Sequence, residues 1–478
     1  MNSIIWEKED RKAFFAPSLP APFSFVALLI ALLSGGLMAL FEPYLIVGAL
    51  ALVAILVFKQ YEVAAGCVLL VSLYIDWYLD YRVAALVLAP LLLLLLYLSR
   101  SPERPWTEPK AWWLWALFLG LSIYPAIRGA LTIHDLILYY PSVILGALIM
   151  FWLGLLIGRD IASVRRFFIV VAALATLIAV HTIIQATTGI TLLQSQAALA
   201  YLESVSNYQF PGETVYRLGS FFIQPNFNGM FLAMMAFIPF GLFVESRSIP
   251  AKLLFLGETL LIVTGLLFTY SASAWIGVSI AVVVFILLVG EGRYRLQISL
   301  FLLIAIAVLL LGFPSQVNLL LQHASDPAEI QLRNAVWQTA LRVIAAYPLT
   351  GVGLGHQAYL ERAEPFRVIG QVMPYDHPHN SYLEWGAMAG LPVLFVFVIL
   401  LAFTVWQALR NWIVADARAR SLLGAAIAGI VVLCFTSWSN QGWTLPTLAA
   451  CGWMLLGCIT SPLLRNSLLK EKERMVEA

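Results

Sequence analysis

An all-α polytopic membrane protein is the fold class this sequence predicts, with about 12–14 transmembrane helices. Of its 478 residues 61% are hydrophobic and only 11% charged, with a mean hydropathy of +0.88; soluble domains carry roughly 25% charged residues. Apolar runs of bilayer-crossing length recur from end to end, at 23–41, 43–58, 63–79, 83–98, 111–127, 141–158, 167–186, 227–244, 252–270, 272–289, 296–313, 390–409, 421–439 and 444–462. None of them has the strict apolar–polar alternation of a barrel strand, so helices must satisfy these backbones.

Taken in order, residues 1–22 form an N-terminal tail and 23–313 hold about eleven spans, interrupted by an outer loop at 187–226. A large outer segment follows at 314–389, then the last three spans at 390–462 and a tail at 463–478. Lys and Arg set the orientation. With the N-terminus inside, the inner segments hold 21 of the 28 basic residues, among them Arg159, Arg165, Arg166, Arg410 and Arg465. The outer segments hold Arg82, Arg128, Arg217, Arg333, Arg342, Arg362 and Arg367, although they are longer. Topology explains the basic residues, and a net charge of +2 implies no nucleic-acid partner. The apolar stretch from Phe23 exceeds a signal-peptide h-region and no A-x-A site follows, so no cleaved signal is expected. Cys67, Cys434, Cys451 and Cys458 all fall in spans without C-x-x-C spacing and read as small core residues.

Chemistry is sought where polar residues gather against the membrane. Asp76, His181, Glu258 and Glu384 fall in or beside apolar spans, and ionisable groups there are functional candidates. The first outer segment ends in the run Tyr216-Arg217-Leu218-Gly219-Ser220-Phe221, leading to Pro225-Asn226. In the second, Ser325 or Asp326 can cap a helix with Pro327 in its first turn, stopped by Tyr347-Pro348. Its stripe of Ile330, Trp337, Leu341 and Ile344 suggests a helix resting on the membrane surface. Arg333 on that helix either pairs with Glu329 one turn earlier or binds a phosphate. Gly351-Val352-Gly353-Leu354-Gly355 lacks G-x-G-x-x-G spacing and reads as tight turns rather than a nucleotide loop. His379-Asn380-Ser381-Tyr382-Leu383-Glu384 sets an imidazole beside an amide and a carboxylate, a set suited to proton transfer. Asp376, His377 and His379 lack the spacing of a helical metal site, and Pro378 extends the chain between them, so no metal is expected.

Four pieces, in order, resemble the bacterial O-antigen ligase and O-antigen polymerase superfamily. They are Arg217 with Gly219-Ser220-Phe221 and Pro225-Asn226; the turn Thr269-Tyr270-Ser271-Ala272-Ser273-Ala274-Trp275; Arg333 and Trp337 leading into Tyr347-Pro348 and the glycine turns; and His379-Asn380 with Gly390 beyond. The likeness spans roughly 210–410. Two positions depart from it. Ala272 stands where relatives have arginine after the serine, with Arg128 and Arg342 as potential substitutes, and Val393 stands where many have glycine.

The resemblance implies a GT-C-like membrane glycosyltransferase without cofactor. It would move a glycan from an undecaprenyl-diphosphate carrier to an acceptor hydroxyl, at the outer face of the bacterial cytoplasmic membrane. Its implied catalytic residues are His379, Arg217 and Arg333, with Asn380, Glu384, Asn226, Tyr270, Ser271 and Gly353 at the substrate. The partners are the lipid-linked glycan, a lipid or glycan acceptor and membrane lipids. Ligation to a lipid core and extension of a glycan by a polymerase both fit. A flippase would share the ligand, but it calls for polar residues along a mid-membrane path rather than two outer segments rich in Arg, His and Tyr.

Overall fold

The computed structural model describes residues 61–74, 109–131, 140–189, 207–210, 213–222, 224–289, 299, 311–369, 371, 375 and 377–477. The spans expected at 23–41, 43–58 and 83–98, and most of that at 296–313, lie outside the described residues, as do Asp76, Arg82 and Asp376. The rest is an all-α polytopic membrane protein in which six helical segments are long and apolar enough to cross a bilayer: Ile161–Thr188, Pro225–Glu245, Ile249–Leu267, Leu391–Val414, Ala417–Thr436 and Pro446–Arg474. Shorter apolar helices cover Val143–Ile157 and Ala272–Leu288.

In chain order the helices are α1 (Tyr61–Tyr74), α2 (Trp112–Gly129), α3 (Gly146–Ile157, continuing a π-helical turn), α4 (Ile161–Thr188), α5 (Pro225–Met235), α6 (Phe237–Glu245), α7 (Ile249–Leu267) and α8 (Ala272–Leu288). Then come α9 (Pro314–Ala324), α10 (Pro327–Ala346), α11 (His356–Ala363), α12 (Ser381–Glu384, continued by a π-helix Trp385–Ala389), α13 (Leu391–Val414), α14 (Ala417–Thr436), α15 (Pro446–Thr460) and α16 (Pro462–Glu477). One departure from an all-helical reading is a hairpin in the first outer segment. Its strands β1 (Asn207–Phe210) and β2 (Glu213–Tyr216) pair antiparallel, with Asn207 opposite Tyr216.

The α5–α6 span is buried along most of its length, whereas α7 keeps one face out, with Leu253, Leu254, Leu260 and Leu261 exposed. Exposed apolar rows of this kind suit lipid. Its break at Ala236 has a local cause: Pro239 has no N–H for the carbonyl of Met235. Small residues set the closest helix approaches. A Cβ on Gly154 would strike the backbone of Met454 and Cys458, and one on Gly158 the backbone of Cys458, so α3 and α15 meet backbone to backbone. Cys451 and Cys458 are buried free thiols in that layer.

Arg166 reaches Glu62 at 3.0 Å and Arg165 reaches Glu245 at 3.0 Å, so the start of α1, the start of α4 and the end of α6 share one end of the bundle. Arg465 donates to the carbonyl of Arg410 at 2.9 Å.

The helix expected after Asp326 is α10, Pro327–Ala346, and the Asp326 carboxylate accepts from Ala328 N at 2.9 Å. The expected stripe divides, with Ile344 packed against Gly386. Ile330 and Leu341 are exposed, whereas Ala335, Val336, Thr339, Ala340 and Val343 are buried. Small side chains let α10 close on the glycine turns and on the π-helix, where Gly386 leaves room for Ile344.

Candidate functional site

The first outer motif is built onto α4. Ser220 Oγ lies 2.8 Å from His181 Nδ1, and Ser220 N donates to Gln185 Oε1 at 3.2 Å. Phe221 stacks on the His181 ring at 4.5 Å. His181, an ionisable group inside an apolar span, thus anchors the turn that carries Arg217. Arg217 is 9% exposed. Its Nη2 donates to Asn226 Oδ1 at 2.6 Å and its Nε to the carbonyl of Thr269 at 3.3 Å. One guanidinium therefore ties both ends of the first motif to the second.

From there hydrogen bonds continue. Tyr270 and Ser271 follow Thr269 in a turn held against α5, where Gly229 leaves no room for a Cβ beside Ser271. Ser273 Oγ lies 3.5 Å from Ser271 Oγ and accepts from Asn440 Nδ2 at 3.1 Å. The carbonyl of Asn440 in turn accepts from Ser381 N and Ser381 Oγ, both at 3.2 Å. Residues 217, 269–273 and 381 are in this way joined through the turn between α14 and α15. Three of these motif residues, Ser220, Tyr270 and His379, have φ of 53°, 49° and 51°. That left-handed conformation is uncommon outside glycine and costs energy that the surrounding bonds must repay.

The glycine turns have a structural explanation. The π-helix ends at Gly390, and its carbonyls at Ala387 and Met388 accept from Val352 N at 2.8 Å and Gly353 N at 2.9 Å. Leu354 N donates to Pro125 O at 2.9 Å. With φ of 117° and the backbone of Gly129 at 2.5 Å from where its Cβ would lie, Gly353 is fixed by packing. Its N–H is given to protein, so Gly353 is a framework residue here. Asn380 likewise acts on the backbone: its Oδ1 caps α12 by accepting from Tyr382 N at 3.0 Å and Leu383 N at 3.1 Å.

His379 ends a row of packed rings. Its Nδ1 lies 3.1 Å from His377 Nε2, and its ring meets Tyr375 edge-on at 5.3 Å. His377 stacks on His356 at 5.4 Å. His356 Nε2 lies 3.0 Å from Gln441 Nε2 and 3.5 Å from Glu384 Oε1. Glu384, 4% exposed, accepts from Gln441 Nε2 and from Thr444 Oγ1 at 2.7 Å. His356, Asn440, Gln441 and Thr444 were not legible as site residues. The available signal was the polar run Ser437-Trp438-Ser439-Asn440-Gln441 breaking two apolar spans.

Arg333 pairs with Glu329 at 3.6 Å, the i,i+4 geometry expected of neighbours on a helix. It also shares an electrostatic neighbourhood with Arg217. Burial, then the positive charges of Arg217 and Arg333, push the His323 imidazole at the end of α9 down to about 3. Of the two potential substitutes for the arginine missing at 272, Arg128 donates to Thr350 Oγ1 at 2.8 Å and covers the Tyr347 ring, while Arg342 is exposed on α10. Among the described residues, no group of three or more His, Cys, Asp or Glu side chains is arranged to hold a metal ion.

Residues 259–398 match the family model described as O-antigen ligase. The match includes Tyr270, Ser271, Arg333, Gly353, His379, Asn380 and Glu384; Arg217 and Asn226 precede it. No curated protein matches the chain.

Proposed function

From the premise that this membrane protein is of the O-antigen ligase and polymerase superfamily, we propose that it is a metal-independent glycosyltransferase. It transfers a glycan from undecaprenyl diphosphate to the hydroxyl of a lipid core or similar anchor. The reaction runs at the outer face of the bacterial cytoplasmic membrane, with the end bearing Arg159, Arg165 and Arg166 toward the cytoplasm. One observation carries this reading: the turn at Thr269–Ser273 receives Arg217 on one side and, through Asn440, the His379–Glu384 turn on the other.

The donor diphosphate lies against Arg217 and Arg333, near Asn226, Tyr270 and Ser271. Guanidinium groups stay charged at any physiological pH and match phosphate oxygens two at a time. As the bond between the sugar C1 and the diphosphate oxygen breaks, negative charge grows on the leaving group, so fixed arginines favour the transition state over the ground state. The acceptor oxygen bonds to C1, and its proton passes to His379. Asn380 holds the helix start below His379, and Glu384 fixes the polar residues behind it. Undecaprenyl diphosphate leaves.

The test is incubation of purified protein with a defined undecaprenyl-diphosphate oligosaccharide, separate lipid and glycan acceptors, and excess chelator. Glycosylated lipid acceptor formed in chelator is expected. Extension of the glycan alone would reassign the protein as a polymerase, and activity lost to chelator and restored by one divalent ion would overturn the metal-free mechanism.

A further inference from the structure

Two groups of cations lie at the end of the bundle that carries Arg159. In the first, Arg159, Arg165 and Arg166 each meet a carboxylate, on Asp160, Glu245 and Glu62, at 3.2, 3.0 and 3.0 Å. In the second, Lys110, Arg410 and Arg465 have no carboxylate partner among the described residues. Arg465 Nη1 donates to the carbonyl of Arg410 at 2.9 Å and to Asn411 Oδ1 at 3.4 Å. The Arg410 guanidinium covers the Trp406 ring at 4.9 Å. Burial, then the charges of Arg465 and Arg410, lower the Lys110 ammonium below its ordinary value. Of the acids at this end, Asp416 and Asp160 bear on Glu471 rather than on Lys110.

The three cations come from three segments: Lys110 leads into α2, Arg410 lies near the end of α13 and Arg465 in the first turn of α16. Topology explains which side of a membrane they take, but not their convergence, which costs free energy between like charges. The fold nonetheless fixes them. Asn411, 2% exposed, donates through Nδ2 to the carbonyl of Ile459 at 2.9 Å and so clamps the end of α13 to the α15–α16 junction. Ser461 Oγ donates to Leu155 O at 2.9 Å, which seats that junction beside the end of α3. Lys110 enters α2 through Ala111, whose φ of 55° is uncommon outside glycine and must be held by its surroundings. These surroundings suit a lipid. Trp112, Trp113 and Trp406 are exposed, as aromatic side chains are at the level of headgroups. Along α13, Phe395, Val398, Ile399 and Trp406 form an exposed apolar row that leads to Arg410. That row rises about 16 Å at 1.5 Å per residue, close to half of a hydrocarbon core of roughly 30 Å and hence to the depth of one leaflet. A phosphate diester matches the guanidinium forks, whereas a zwitterionic headgroup would bring its own ammonium to three like charges.

We propose that Lys110, Arg410 and Arg465 bind the phosphate of an anionic phospholipid, whose acyl chain lies along the exposed row of α13. The lipid ties α2, α13 and α16 together and offsets the repulsion among the three cations. This site lies at the opposite end of α2 from Arg128 and does not depend on the transfer reading.

The experiment is native mass spectrometry of the full-length protein, delipidated in a neutral detergent and titrated with dioleoyl phosphatidylglycerol, dioleoyl phosphatidylcholine or undecaprenyl diphosphate. Wild type should bind phosphatidylglycerol about fivefold or more tightly than phosphatidylcholine, the scale of one cation near a membrane surface. Arg410→Gln and Lys110→Glu should each weaken phosphatidylglycerol binding by about that factor. Lys110 is exposed, so Lys110→Glu gives the answer even where Arg410→Gln fails to fold. Lys470→Gln, which takes one positive charge from an exposed position on α16, should leave binding within about twofold. Excess inorganic phosphate should leave most of the lipid bound, because the acyl chain contributes. Equal binding of the two phospholipids by wild type, or equal weakening by Lys470→Gln and Lys110→Glu, reduces the site to general surface charge and overturns it. Full displacement by inorganic phosphate makes it a plain anion site, and tighter binding of undecaprenyl diphosphate with the same loss in Lys110→Glu hands it to the glycan carrier; either result overturns the proposal.

Discussion

Arg165 and Arg166 at one end of this bundle differ from Arg217 at the other in the side chains that orient them. At one end Arg165 and Arg166 meet the carboxylates of Glu245 and Glu62 at 3.0 Å. At the other, Arg217 donates to the Asn226 amide oxygen at 2.6 Å and to the Thr269 carbonyl at 3.3 Å, while Arg333 lies 3.6 Å from the Glu329 carboxylate. Amide and carbonyl oxygens orient a guanidinium without adding a charge of their own, whereas a carboxylate brings one.

Four expectations would break or sharpen that contrast. The largest effect is at His379, where His379→Ala should lower transfer about 100- to 10,000-fold, the usual contribution of a positioned proton acceptor. Turnover of the purified variant measures it, alongside an unaltered melting temperature. Next is Arg217→Ala. Hydrogen bonds to charged groups contribute about 1.5–3 kcal/mol, so transfer should fall by roughly 10- to 100-fold, and Arg217→Lys, which keeps the charge but loses the fork, should recover only part of it.

His323 tests its burial beside the arginines through stability. Its value is depressed, so below its ordinary 6.5 the unfolded chain takes up a proton that the folded chain refuses. The stability is fully present above about pH 6.5 and falls as pH drops toward 3, by on the order of 1 kcal/mol per pH unit. His323→Gln should flatten the fall in melting temperature between pH 6.5 and 5; an unchanged slope would show that His323 is not held neutral in the fold. Smallest is Arg166→Ala, whose partly exposed pair with Glu62 contributes at most about 1 kcal/mol. It should shift the melting temperature slightly and leave transfer as in wild type. A loss of transfer there as deep as in Arg217→Ala would dissolve the distinction between the ends.

Local signals in the sequence were sufficient for α10. Asp326-Pro327 starts it and Tyr347-Pro348 ends it, because caps and proline act on the residues beside them. The side chosen for burial was not legible. Ile330 and Leu341 of the large apolar stripe stay exposed, as a row facing the membrane would, while Ala335, Thr339 and Ala340 make the close approach. The motifs around Arg217, Ser271 and His379 stood out as polar groups in an apolar chain, yet their connection did not. It runs through Asn440, 167 positions from Ser273, and a contact of that separation leaves no periodic trace. Gly353 illustrates the converse: a glycine turn that invites a ligand is occupied by the backbone of Gly129 and by the last carbonyls of a π-helix. The hairpin 207–216 pairs four residues with four, too short for alternation to be read.

The central claim is bond cleavage at an arginine-bound diphosphate rather than passage of an intact lipid across the membrane. The direct measurement is a time course in vesicles containing the purified protein and a defined undecaprenyl-diphosphate glycan on the outer leaflet, with acceptor present. Free undecaprenyl diphosphate and glycosylated acceptor should appear one for one in wild type, and neither in His379→Ala. Appearance of the intact lipid-linked glycan in the opposite leaflet, without release of undecaprenyl diphosphate, would contradict the account.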